Sequence, residues 1–175
     1  AAIAVWIPLA GFGLYFGLSE WPWDERVAAG AAPHGAGAAT LQSMAARLEQ
    51  RLQSQPGDPE GWKLLGRTQV VMGNYAEAAE AYGRALELTG GNDVDAMLGV
   101  AEARVLSDES EFRGGAGEMF LRAVALAPDN PKARWYAGLT AYEKRDLGQA
   151  REHWQALRAL APPPELLEVV DARIA

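Results

Sequence analysis

The feature that most constrains this chain is a slow punctuation of helix-breaking residues, Pro56, Gly90, Pro128 and Pro162, separated by steps of 34, 38 and 34 residues. Between these marks the apolar residues follow helical spacing, as in Leu41, Met44, Leu48 and Leu52, and no useful run of strand-like alternation appears. Such a chain is confined to a row of short helix pairs. One pair cannot bury its apolar face alone, so it must stack on the next. Within the first step Trp62, Leu65 and Gly66 belong to one helix, Gly73 and Asn74 make a turn, and Tyr75, Ala78, Tyr82 and Ala85 belong to a second. Small residues fall where two helices cross closely, and large ones fill the space between neighbouring pairs. Asp58-Pro59 and Asn130-Pro131 each place a capping side chain before a proline suited to a first helical turn, so both start helices.

This is the tetratricopeptide pattern, and the fold class expected is all-α: a tetratricopeptide repeat solenoid of about three helix pairs over residues 41–175. The last pair repeats the scheme with Ala137, Gly138 and Ala141, a turn at Asp146, then Leu147, Ala150, Trp154 and Leu157. The middle pair, Asp93 to Leu106 and Glu118 to Leu126, carries an insertion in its turn, SDESEFRGGAG. Leu41 to Ser54 reads as a leading helix and Glu165 to Ile174 as a closing one that covers the last face.

Residues 1–18, AAIAVWIPLAGFGLYFGL, carry no charge and are long enough to cross most of a hydrocarbon core, so they read as a transmembrane anchor. Tyr15, Trp21 and Trp23 suit the lipid–water boundary, and the acids Glu20, Asp24 and Glu25 outnumber Arg26 just after it, which puts the folded part on the translocated side. Residues 19–40 read as a flexible tether, because VAAGAAPHGAGAAT has breakers but no large apolar group.

Several kinds of chemistry are disfavoured. Without cysteine there is no thiolate nucleophile, disulfide or thiolate metal site. A net charge of -7 with scattered cations disfavours nucleic acid. Gly114, Gly115 and Gly117 resemble a phosphate cradle only superficially, since they follow a helix rather than a strand and lack a Lys-Ser/Thr partner. His34 and His153 have no second ligand at metal spacing, and Asp108, Glu109 and Glu111 read as a solvated loop. The chain is therefore read as a binding protein, not an enzyme, with no cofactor or metal.

The first helices of the pairs should line a concave face. On it fall Val70, Val100, Trp135, Leu139 and Tyr142, with the basic residues Lys63, Arg67, Arg104 and Lys132 at its margin. An apolar groove with a cationic edge suits an amphipathic helix that carries acids, and Trp135 is expected to be its dominant anchor. From the residues alone a second reading stays open: a membrane-anchored scaffold that assembles partner subunits with its groove empty.

The order of parts, together with IPLAGFGLYFGL, GEMFLRAVALAPDNPKA and AREHWQALRALAP, resembles the cytochrome c biogenesis family CcmI, also called CycH; the nitrite reductase assembly protein NrfG is similar over the repeats. The resemblance implies a bacterial inner-membrane protein with its repeat domain in the periplasm. It implies capture of the C-terminal helical segment of apocytochrome c for the haem ligation complex, with CcmF and CcmH as partners.

Overall fold

The computed structural model describes residues 38–162 and 164–174, all within one unit, Gly37–Ala175. The expected anchor over 1–18 and the tether up to residue 37 lie outside them. Among the described residues no helix is long and apolar enough to cross a membrane.

Eight α-helices run through the described residues: α1 (Ala38–Ser54), α2 (Pro59–Val71), α3 (Tyr75–Leu88), α4 (Val94–Ser107), α5 (Gly115–Leu126), α6 (Pro131–Glu143), α7 (Leu147–Ala159) and α8 (Pro164–Ile174). Ala38 to Thr40, read from the sequence as the end of the tether, instead form the first turn of α1. Once Gly37 is passed, nothing in Ala-Ala-Thr opposes a helix. Capping explains four of the other starts. Asp58, Asp93, Asn130 and Asp146 accept the backbone N–H of Gly61, Ala96, Ala133 and Gln149, each satisfying a donor that the first helical turn leaves unpaired.

The turns share a backbone plan. Asn74, Gly91 and Asp146 each donate their N–H to a carbonyl five residues back, at 2.9, 2.8 and 2.9 Å. That closure needs a left-handed residue, supplied by Gly73 (φ 78°) in the first pair but by Arg145 (φ 65°) in the last.

Consecutive helices pack on one another along the chain, and the close crossings run through glycine. A Cβ on Gly66 would lie 2.7 Å from the Tyr82 ring and one on Gly99 2.5 Å from its other edge, so Tyr82 is clasped between two pairs. A Cβ on Gly138 would lie 2.1 Å from Nε1 of Trp154. The insertion is folded rather than slack. A 3-10 turn, Glu109–Phe112, leads into α5, which opens at Gly115 and not at Glu118 as the sequence reading has it. The reason is that Glu111 accepts the N–H of Ala116 at 3.1 Å, and Gly117 lets the helix pass directly over the Phe112 carbonyl. The Phe112 ring then lies 5.9 Å from that of Phe120 and 6.4 Å from that of Tyr136.

Candidate functional site

The nine residues assigned to the concave face separate into two groups. Lys63 is buried and bound to Asp93 at 2.9 Å and Glu60 at 2.8 Å. Burial works against its charged form, but the hydrogen bonds and charges of Glu60 and Asp93 outweigh this and raise its pKa. Burial likewise opposes the Asp93 carboxylate, yet the Ala96 N–H and Lys63 hold its pKa below the ordinary value. Lys132 donates to Oε2 of Glu102 at 2.5 Å, while the Tyr136 hydroxyl donates to Oε1 at 2.6 Å. Neither lysine is the free cation at a groove margin that the sequence reading makes of it. Each is committed to joining its own pair to the adjacent one.

Val70, Val100 and Trp135 are buried, and Trp135 is only 4% exposed. Its ring centroid lies 6.2 Å from that of Trp154, whose Nε1 donates to the Trp135 carbonyl at 3.4 Å. Trp135 as a solvent-facing anchor is therefore corrected. Gly138 leaves room for the Trp154 ring, and Trp135 packs against that ring. Leu139 and Tyr142 stay half-buried, Arg67 is half-buried and Arg104 is exposed. Neither arginine makes an ion pair among the described residues, but Arg104 lies beside Tyr75 and Ala79 of α3 and Asp108 and Glu111 of the insertion. Of the nine residues, Arg67, Leu139 and Tyr142 are therefore the three left to meet a partner on the expected face.

Two residues of this surface were missed. Val71 is 64% exposed, an isolated apolar side chain beside Val70 at the end of α2. Arg173 of α8 places its guanidinium carbon 5.7 Å from the Tyr142 centroid and 5.8 Å from that of Trp154. Its spacing of seven and three residues from Leu166 and Val170, on the apolar face of the closing helix, was the signal available in the sequence.

Other features find local explanations. Among the described residues no group of three or more His, Asp or Glu side chains is arranged to hold a metal. Asp108 caps the 3-10 turn through the Ser110 N–H, which lowers its pKa. His153 is half-buried with Nδ1 3.3 Å from Nη1 of Arg134; burial first, and then the Arg134 charge, lower its pKa. An open cleft of about 750 Å3 lies where Leu52, Pro56, Trp62 and Leu88 meet, and an exposed Arg84–Glu87 ion pair at 3.1 Å stands on its rim.

Residues 24–165 match the family model of the cytochrome c-type biogenesis protein H TPR domain. The chain belongs to this family. It is 31% identical over 133 residues to the cytochrome c-type biogenesis protein CcmH of Escherichia coli K12, covering 76% of this chain and 38% of that protein. It is 30% identical over 171 residues to CycH of Bradyrhizobium diazoefficiens, covering 90% of this chain and 43% of that one. The chain thus spans about two-fifths of the length of these relatives. The crystal structure of MamA, at 20% identity, superposes with a TM-score of 0.62 over 70% of this chain and 69% of that chain, a likeness of fold alone. In this member of the cytochrome c-type biogenesis family, the matched span takes in α1 to α7 and leaves α8 almost wholly beyond it.

Proposed function

We propose that this repeat unit holds an amphipathic helical segment of apocytochrome c for the haem ligation machinery, serving as a chaperone subunit rather than an enzyme. Membership of the cytochrome c-type biogenesis family supports the process. The observation that carries the binding step is that Arg67, without an ion pair among the described residues, holds the place in the first pair that Leu139 holds in the last, where Leu139 and Tyr142 form half-buried apolar surface. Apolar side chains of a bound helix bury against that surface, and acids on its flank meet Arg67. In this reading residues 1–18 anchor the chain in the bacterial inner membrane, the repeats stand in the periplasm, and CcmF and CcmH are the neighbouring subunits.

A scaffold reading draws on a different observation. The burial of Val70, Val100 and Trp135 leaves less apolar area than an aromatic hot spot normally offers. The two separate in one titration of the full chain in mild detergent with C-terminal peptides of c-type apocytochromes. Saturable binding weakened by Arg67→Glu, more at low salt than at high, supports the peptide-binding reading, because exposed charges are screened over about 10 Å at 0.1 M salt. Absence of binding by the folded wild type leaves the scaffold.

A further inference from the structure

The closing helix α8 is fixed by Leu166 and Val170, 1% and 0% exposed, and Arg173 follows on the same helical face. Across the same interface Arg158 is satisfied by Asp171, Nε to Oδ1 at 2.9 Å. Arg173 makes no ion pair among the described residues; neither Glu143, next to Tyr142, nor Glu168, on its own helix, reaches it. Its guanidinium is instead held by two aromatic rings, those of Tyr142 and Trp154. Ring contacts orient the plane of a guanidinium but leave its N–H donors unused, and five such donors in a rigid fork match a carboxylate. Through its contact with Tyr142, Arg173 places a cation at the end of the half-buried apolar surface formed by Leu139 and Tyr142. The chain as a whole carries -7, so a long-range field does not draw an acidic segment in. Recognition of an acid here has to be local.

We propose that Arg173 is a carboxylate-binding residue at the closing end of the peptide face, receiving an acidic group of the bound helix while Tyr142 and Trp154 hold it in place. This rests on the peptide-binding reading above. The carboxylate comes from an acidic side chain or from a free chain terminus, and the test tells these apart.

The full chain and its Arg173→Leu variant are titrated with one apocytochrome-derived helical peptide in three forms: free acid, C-terminal amide, and a form with its Asp and Glu changed to Asn and Gln. Arg173→Leu is expected to weaken binding about tenfold or more for every form that retains the recognised carboxylate and to leave the form lacking it unchanged. The form that loses sensitivity identifies the source. Equal weakening of all three forms, or of none, overturns the proposal while leaving the peptide-binding reading intact. Failure of the wild type to bind any form removes both. Should Arg173→Leu loosen α8, seen as a lowered Tm, Arg173→Lys keeps the charge over the rings but loses the fork, and the same carboxylate-dependent weakening is expected.

Discussion

The first and last helix pairs, 72 residues apart in frame, solve one backbone problem with different side chains. In the first, a tyrosine ring is clasped between Gly66 and Gly99 and the turn uses a glycine. In the last, a larger ring, Trp154, presses on a single glycine, and an arginine occupies the left-handed turn position. The contrast separates what the crossing geometry requires from what each pair can vary. A residue without a side chain is needed at the crossing, whereas the ring above it and the residue in the turn are adjustable at modest cost.

The largest effects test the crossings. Gly138→Ala should destabilise by about 2 kcal/mol or more, because even one methyl group overlaps Trp154, and Gly66→Ala should cost less because its clash with Tyr82 is milder. Urea unfolding midpoints for both variants decide the order, and a reversed order breaks the comparison. Trp135→Ala should cost about 3 to 5 kcal/mol as a core truncation, a loss read in thermal melts without any ligand.

A smaller effect sharpens it. Thr68 and Thr140 hold the same place in the two pairs. Thr68 donates to the Leu64 carbonyl at 2.9 Å, but the Thr140 hydroxyl is fully buried with no hydrogen-bond partner among the described residues. Thr140→Val should therefore stabilise by about 1 kcal/mol, while Thr68→Val should give no gain. Equal responses in chemical denaturation would mean that the two sites are not distinct. The turn counterparts behave alike in kind: Arg145→Gly should stabilise by about 0.5 to 1 kcal/mol and Gly73→Arg should destabilise, both visible as Tm shifts.

The smallest effect is a pH slope. His153, whose counterpart in the first pair is Ala81, has a folded pKa below its ordinary value of 6.5. The unfolded chain then binds the proton more readily, so this contribution to stability is present above pH 6.5 and is lost as pH falls through the lower folded pKa. His153→Gln should flatten the fall over that window; an unchanged slope assigns it to other groups.

Helix order, repeat frame and the crossing glycines Gly66 and Gly138 were legible in the sequence because they are local: an asparagine before a proline, or a glycine four residues after a tryptophan, carries its reason with it. The site was less legible. Lys63 and Lys132 find their acids, Asp93 and Glu102, 30 residues away in each case, a distance at which spacing says nothing about pairing. Trp135 was misread because helical face alone does not reveal that the neighbouring glycine admits Trp154. The start of α5 was misplaced because three glycines look like a loop until Phe112 is seen beneath Gly117 and Glu111 beside Gly114.

Glu102 carries a consequence for how such arrays change length. Its carboxylate is buried, and both its oxygens are held from α6, one by Lys132 and the other by Tyr136. Cutting away the last pair would return that carboxylate to water, but covering the cut with an apolar cap would bury the charge without a partner. The junction between the middle and last pairs is therefore a seam that another unit can occupy only by bringing donors of its own, as Lys63 does for Asp93 at the junction before it.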